Sequence, residues 1–116
     1  MGAMRRSKPI NKTNPKRKLE VRATVWGPPG YREHVRAQPC AVRGCRSGSP
    51  VEPHHEPHKY PQGRGTWRDL IPLCGFHHTK GGTAVHRLGR DSFAERFKLD
   101  YAAVKAEVLA LWKERL

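Results

Sequence analysis

The chain has 116 residues, which is enough for one domain. Only 36% of the residues are hydrophobic and 8% are aromatic, so the hydrophobic core is expected to be only marginally stable without a further stabilising element such as a bound metal. The formal net charge of +13 exceeds the magnitude of about 2–8 that solubility requires, which indicates a polyanionic partner, with nucleic acid as the first candidate. No apolar run is long enough to cross a bilayer and no basic amphipathic helix has an aromatic face, so we expect no membrane association.

The three cysteines cannot all pair in disulfides, and the N-terminal stretch lacks the apolar segment of a signal peptide. Both features indicate a reducing compartment, so we expect a cytoplasmic protein with metal-bound cysteines. We assign residues 1–3 to a vector-derived leader. Residues 1–18 are rich in Lys and Arg mixed with Pro and Asn, which predicts a disordered basic arm that lies along phosphates. Residues 19–116 form the predicted domain.

The first half of the domain contains several short predicted elements. Residues 19–26 alternate in a way that predicts a strand, and the Gly-Pro-Pro-Gly run at 27–30 ends it. Residues 31–37 predict a short helix. Residues 51–55 and 69–73 predict short strands, and a proline confines the first of them to a sheet edge.

The second half is predicted to be mainly helical. A helix is expected to begin at Cys74, and the pair Gly81-Gly82 must interrupt or end it. Asp100 can N-cap the most regular helix, which reaches the end of the chain. Its apolar stripe is predicted to pack on the core: Tyr101, Val104, Val108, Leu111, Trp112 and Leu116. Its polar residues, Lys105 among them, are expected to face water.

Four thiol and imidazole side chains form one complete set of zinc ligands. Cys40 and Cys45 have the spacing C-x4-C, and Cys74 and His77 have the spacing C-x2-H. Each half can reach one ion from a short turn, and sulfur and nitrogen donors suit Zn²⁺. We therefore expect a structural zinc held by all four side chains in a closed tetrahedron.

Further histidines remain once this set is complete, namely His54, His55, His78 and His86. A structural zinc domain has no need for them, so the surplus predicts a second metal and chemistry beside the first. Adjacent strand residues point to opposite sides, so His54 can face a metal while His55 faces substrate and water. The alternative, with His55 as the ligand in place of His54, stays open. A helix packed across the strand can present His78 to the same metal.

The stretch from Tyr31 to Phe97 resembles the HNH endonucleases, a family with the ββα-metal (His-Me finger) core. The matching segments are Pro39-Cys40, Cys45, His54-His55, Asp69-Leu70-Ile71-Pro72-Leu73-Cys74, His77-His78 and His86-Arg87-Leu88-Gly89. The pattern is most similar to small phage and prophage nucleases, including recombinase-dependent ones, and it is also similar to the colicin DNases. The resemblance implies an α+β fold, with a small zinc-stapled ββα-metal core, a C-terminal amphipathic helix and a disordered basic N-terminal arm.

The resemblance also implies a role for each candidate residue. His54 takes the position of the first metal ligand, and His55 takes that of the general base. His78 is the helical ligand of the catalytic metal, and His86 is its third protein ligand. Asp69 stands where many family members carry Asn, the residue that braces the loop and the base.

These roles predict a phosphodiester hydrolase that acts on DNA and leaves 5′-phosphate and 3′-hydroxyl ends. A histidine suits proton abstraction near neutral pH, and one divalent ion (Mg²⁺, Mn²⁺, Ni²⁺ or Zn²⁺) can polarise the phosphate and stabilise the leaving oxygen. Arg46, Arg64 and Arg68 are candidates for holding the phosphate. The resemblance places the protein in the cytoplasm of a bacterial host of a phage or prophage. A recombinase filament or phage packaging and recombination proteins are its candidate partners.

Two other functions fit parts of the same sequence. A non-catalytic zinc module that grips nucleic acid would use the charge and the Cys3His set, but it has no need of the surplus histidines. A zinc deaminase would use His54-His55-Glu56 as an H-x-E motif and Pro72-Leu73-Cys74 with His77 as a loose match to P-C-x-x-C. That assignment leaves Cys40 and Cys45 unexplained.

Overall fold

The structure is a computed structural model, and its described residues are 23–56 and 65–115, together with the backbone of residues 59–60 and 63–64. The predicted basic arm lies outside the described residues. Residues 23–26 are helical rather than extended, so the strand prediction is wrong for them. Gly27 donates its N–H to the carbonyl of Ala23 at 3.1 Å, which closes one helical turn. In so short a run, the same apolar residues fit one turn of helix as well as an alternating strand. In the helical turn Val25 is buried.

The described elements alternate short strands with short helices. In chain order they are α1 (Tyr31–Arg36), β1 (Val51–His55), β2 (Lys59–Tyr60), β3 (Gly63–Arg64), a 3-10 turn (Trp67–Asp69), β4 (Leu70–Cys74), a π-helical segment (Phe76–Lys80), α2 (Val85–Leu88), α3 (Arg90–Phe97) and α4 (Tyr101–Arg115). This is an α+β fold, as the sequence predicts. The helices α2 and α3 were not predicted. No helix within the described ranges is long and apolar enough to span a bilayer.

The strands β1 and β4 form an antiparallel pair that organises the domain, with His55 opposite Leu70. Pro53 faces Pro72 across this pair, where neither residue has an N–H to give to the ladder. In the described part of the chain the sheet has only these two strands, so β1 is an edge strand, as predicted. The carbonyl of Pro72 accepts the N–H of Ala41 at 2.8 Å, which attaches the loop after α1 to β4.

The core lies on both sides of β4, which is buried along its whole length. Successive strand residues face opposite sides, so Ile71 and Leu73 join one apolar cluster and Leu70 joins the other. The first cluster also contains Val42, Val85, Phe93 and Tyr101, and the second contains Tyr31, Val35 and Val108. The cysteine loop, α2 and α3 pack on the first side, and α1 packs on the second.

The helix α4 contributes to both clusters. Asp100 caps it by accepting the N–H of Ala103 at 3.2 Å, as predicted, and Tyr101 is buried in the predicted apolar stripe. The expectation that Lys105 faces water is wrong. Its Nζ donates to the carbonyl of Glu56 at 2.9 Å, because the long stem of a lysine can reach past the solvated face of its helix.

The chain changes from strand to helix between Cys74 and Gly81. Cys74 is the last residue of β4 rather than the first residue of a helix, and the helical segment that follows is of the π type. Gly81 donates its N–H to the carbonyl of Phe76, five residues earlier, at 2.8 Å. This glycine ends the segment, as predicted, and a Cβ at this position would lie 2.8 Å from the same carbonyl oxygen. Two consecutive histidines, His77 and His78, are therefore carried by a single turn.

Candidate metal centre

The four predicted zinc ligands converge on one point. Cys40 and Cys45 come from the loop after α1, Cys74 ends β4, and His77 lies in the π-helical segment. The donor atoms of all four lie within 4.8 Å of one another, so this cluster could hold a metal ion.

The spacing of these donor atoms fits a tetrahedral ion. Nδ1 of His77 lies 3.2 Å from Sγ of Cys74 and 3.5 Å from Sγ of Cys45, and the latter two sulfurs are 3.6 Å apart. Zinc bonds of about 2.1–2.3 Å in a tetrahedron separate such donors by about 3.6–3.8 Å. The cysteines are free thiols at a spacing far beyond a disulfide bond. The donor set is consistent with zinc.

The electrostatics of the cluster call for a cation. Burial raises the pKa of the Cys40 thiol to about 12, with opposing hydrogen bonds from backbone N–H groups and a further increase from the charges of the other two cysteines. Burial also raises the pKa of Cys45, but hydrogen bonds, first from Ser47, outweigh it and hold this pKa below its ordinary value. Burial lowers the pKa of His77, which favours the neutral imidazole that binds a metal. A cation bound at this cluster would be ligated by the cysteines as thiolates.

A second cluster consists of three histidine rings. His54 comes from β1, His78 from the π-helical segment and His86 from α2, and their donor nitrogens lie within 4.8 Å of one another. The ring centres are 4.8 to 5.3 Å apart. His54 is buried, His78 is half-buried and His86 is exposed, so one side of the cluster faces solvent. Three protein ligands with an open side leave room for water or substrate on a bound ion.

Two carboxylates accompany these rings. Glu52 accepts a hydrogen bond from Nδ1 of His78 at 2.6 Å. Oε1 of Glu56 lies 3.5 Å from Nε2 of His54. Carboxylates in such positions fix the orientation of a ligating ring and raise its basicity. Glu52 was not singled out from the sequence, although its position two residues before His54, on the same face of β1, is a usable signal.

Glu56 also binds an arginine that sequence reasoning missed. The carboxylate is 1% exposed and accepts a hydrogen bond from Nε of Arg90. Burial raises the pKa of Glu56, but the neighbouring His54 ring and the hydrogen bond and positive charge of Arg90 outweigh burial and hold this pKa below its usual range. The same contact raises the pKa of Arg90. No local pattern links residues this far apart in the chain, so the pair could not be found from spacing.

His55 lies outside the second cluster. It follows His54 in β1 and therefore points to the other side of the strand. Its Nε2 donates to the carbonyl of Val25 at 2.9 Å, and its ring centre is 5.0 Å from that of Trp26. The residue is 7% exposed. The described structure thus places the predicted base against the helical turn of residues 23–26.

Asp69 lies in the turn that leads into β4. Its carboxylate accepts the N–H of Thr66 at 3.0 Å and a hydrogen bond from Lys105 at 3.3 Å. Its carbonyl accepts the N–H of Glu56 at 2.9 Å, directly after His55. Asp69 therefore ties the end of β1 to the start of β4 and to the C-terminal helix.

The predicted phosphate-binding arginines have different surroundings. Arg46 is exposed in the cysteine loop. The guanidinium of Arg68 lies 4.4 Å from the ring centre of Trp67. The side chain of Arg64 lies outside the described residues.

The arrangement of the clusters argues against a zinc deaminase. That chemistry needs the histidine of the H-x-E motif and the cysteines of the second motif on one ion. Here His54 belongs to the three-histidine cluster, whereas Cys74 joins the cysteine cluster.

Comparisons with protein-family models, with curated protein sequences and with solved structures gave no match. The chain's own residues and geometry are therefore the basis for the function proposed below.

Proposed function

We propose that the chain is a metal-dependent HNH endonuclease, a hydrolase that cleaves phosphodiester bonds in DNA. One observation carries this proposal: a three-histidine cluster with an open side lies beside a complete Cys3His set. A zinc module that only binds nucleic acid needs the Cys3His set and does not need a second metal-binding cluster. The open cluster is the arrangement that metal-assisted hydrolysis requires.

The order of elements supports a ββα-metal core. The antiparallel pair of β1 and β4 is followed directly by the π-helical segment. His54 on the strand and His78 on the helical segment face the same point. Two strands and one helical segment thus suffice to surround a single ion, with His86 as the third ligand.

In this proposal the chain holds the ion and the ion acts on the phosphate. When bound, one divalent cation (Mg²⁺, Mn²⁺, Ni²⁺ or Zn²⁺) supplies polarisation of the phosphate and charge relief at the leaving oxygen. His54, His78 and His86 are its ligands, and Glu52 orients the ring of His78. The net charge of +13 draws DNA to the surface and binds its phosphates.

We assign the general base to His55. Because its Nε2 donates to the carbonyl of Val25, the proton resides on Nε2 and the lone pair on Nδ1 is the basic site. This fixed tautomer suits a base that takes a proton from water. The role requires a water molecule at Nδ1, on a ring whose centre lies 5.0 Å from that of Trp26. Asp69 fixes the backbone that follows His55.

The test is plasmid nicking by the zinc-loaded protein with each candidate divalent ion, compared with His55→Ala. We expect the wild type to nick and His55→Ala to lose on the order of 10²–10⁴-fold in rate, since this is the usual contribution of a positioned base. Thr79→Ala, an exposed change in the π-helical segment, is the matched control and should nick normally. Unchanged thermal unfolding and metal content of His55→Ala would confirm that only the chemistry is lost.

The burial of His55 favours the alternative, a zinc module that binds nucleic acid without cutting it. The same experiment separates the two functions. If the wild type and His55→Ala both shift DNA and neither nicks it with any of the ions, the module is the correct assignment.

A further inference from the structure

His55 is covered by one turn of helix, although the role proposed for it requires contact with water. Its Nε2 donates to the carbonyl of Val25 at 2.9 Å, and its ring centre lies 5.0 Å from that of Trp26. The histidine and the valine are each 7% exposed. A general base must meet the water that it deprotonates. A movement of this cover would therefore control access to the imidazole.

The backbone of this turn is held in place at its end. Gly27 has a φ of 86°, in the left-handed region that favours glycine. A Cβ at Gly27 would lie 2.9 Å from ring atoms of Trp67, so the backbone packs directly against that indole. The carbonyl of Val25 lies two residues before this anchor. We expect it to keep its hydrogen bond to His55, which leaves the side chain of Trp26 as the movable part of the cover.

The indole of Trp26 has room beside it. The residue is half-buried, and a cavity of about 340 Å³ adjoins it, lined also by Ala23, Pro28, Pro29 and Arg32. The guanidinium of Arg32 lies 4.9 Å from the centre of the indole. A cation–π contact at a solvent-accessible site is weak, so it favours one rotamer of the indole without locking it there.

We propose that Trp26 is a gate over His55, with a closed position against the imidazole and an open position in which the indole occupies the adjoining cavity. The open position admits water to His55, and the carbonyl of Val25 keeps the proton on Nε2 in both positions. This inference rests on the proposed function and deepens it, since it assigns a control step to the general base. It also accounts for a base that is 7% exposed in the closed position.

The first experiment measures how His55 becomes accessible in the full, zinc-loaded chain. The probe is diethyl pyrocarbonate, and mass spectrometry reports the modification of each histidine at increasing urea concentrations. His34 is the internal reference, since it is 2% exposed and its Nε2 donates to the carbonyl of Val108 at 2.9 Å. A gate predicts that His55 reacts through local opening, at urea concentrations too low for His34 to react by global unfolding. Reaction of both histidines only at the global transition means that the cover is fixed, and it overturns the proposal.

A matched pair of tryptophan variants tests whether Trp26 is the moving part. If the open position is populated at about 0.1–10%, removal of the indole in Trp26→Ala should make His55 react about 10–1,000-fold faster in native buffer and raise DNA nicking at least about tenfold. Trp112→Ala is the control, because Trp112 is also half-buried beside a guanidinium, that of Arg115 at 5.5 Å, and its ring packs on Tyr31. It should leave His55 at the wild-type rate.

A milder variant keeps the gate testable if Trp26→Ala does not fold. Arg32→Ala leaves the apolar contacts of the turn intact and removes only the cation–π contact, so the reactivity of His55 should rise by about 2–5-fold. Arg36→Ala, which changes an exposed arginine at the end of the same helix, should leave that reactivity unchanged. Equal reactivity of His55 in the two arginine variants would count against the gate.

The gate and the nuclease fail in different ways. If the wild type nicks DNA and His55 reacts equally fast in folded Trp26→Ala and Trp112→Ala, the gate is overturned and the nuclease stands. Faster reaction of His55 together with slower nicking in Trp26→Ala also overturns the gate, since the indole then supports the active ring. If His55 reacts faster in Trp26→Ala but neither protein nicks DNA with any divalent ion, the gate is supported and the nuclease is wrong.

Discussion

A metal-binding imidazole has two nitrogens, and the group that holds the second nitrogen decides how well the first one binds. In this chain Glu52 accepts a hydrogen bond from Nδ1 of His78 at 2.6 Å. This leaves Nε2 of His78 as the nitrogen that can bind an ion together with the other two rings of the cluster. Glu56 stands in a similar relation to His54. Two carboxylates, Glu52 and Glu56, therefore lie next to histidine rings of the three-histidine cluster.

We expect Glu52→Gln to weaken metal binding at the three-histidine cluster by about 10–100-fold, the usual effect of losing such an outer partner. The Cys3His cluster should bind as before, because Glu52 is not one of its four ligands. Titration of the zinc-loaded protein with Co²⁺, followed by its visible absorption, measures this. Glu95→Gln, an exposed carboxylate on α3, is the control. Equal Co²⁺ affinity in the two variants would show that Glu52 has no such role.

The sequence is informative about ligands and less so about their partners. Cysteine and histidine spacing predicted both clusters, because each half of a metal site is a local motif. Glu52 could have been found, since it shares a strand face with His54. Arg90 could not, because its contact with Glu56 depends on how α3 packs on the end of β1. A long-range ion pair leaves no periodic trace in a sequence.

At the scale of elements, one turn joins the two clusters. The π-helical segment Phe76–Lys80 carries His77 for the first cluster and His78 for the second. A wider turn of this kind directs consecutive side chains differently from an α-helix, and such turns recur at functional sites. The hydrogen bond from Gly81 to the carbonyl of Phe76 closes it.

We expect Gly81→Ala to destabilise the domain by about 1–3 kcal/mol, because its Cβ would meet a backbone oxygen in a packed turn. A Cβ at Gly81 lies 2.8 Å from the oxygen of Phe76, whereas one at Gly82 meets nothing within 4 Å. Gly82→Ala is thus a control one residue away. Urea unfolding of the two metal-loaded variants gives the free energies. Equal stability would mean that the turn relaxes without cost.

Local patterns predicted the elements that local physics determines. The strand β1 was predicted with Pro53 marking it as an edge, and the cap at Asp100 together with the apolar stripe predicted α4. Residues 23–26 were predicted as a strand because apolar residues alternate there and the sequence does not reveal their tertiary contacts. In the structure they form a helical turn that covers His55, and a tertiary contact of this kind overrides weak propensity.

At the scale of the whole molecule, two small apolar clusters share a domain that is short of hydrophobic residues. The Cys3His cluster joins the loop after α1 to the end of β4 and to the π-helical segment. A bound ion there fixes three parts of the chain that apolar packing alone holds weakly. Metal binding at such a site contributes directly to folding free energy.

We expect Cys74→Ser, or removal of zinc by a chelator, to abolish the cooperative thermal transition. Cys74 ligates the ion and is also buried in β4, so its loss removes metal affinity and packing together. Ser47→Ala is the matched control, since the hydroxyl of Ser47 donates to Sγ of Cys74 at 3.0 Å without being a ligand. Calorimetry with and without added zinc measures both. A Cys74→Ser protein with a wild-type transition would contradict a structural role for the ion.

The most direct test of two separate metal sites is anomalous diffraction from zinc-loaded crystals soaked in turn with Mn²⁺, Ni²⁺ and further Zn²⁺. We expect two peaks. One lies within bonding distance of the cysteine sulfurs and Nδ1 of His77, and the second touches the rings of His54, His78 and His86. A single peak at the cysteines with every ion, and three imidazoles turned away from one another, would contradict the account.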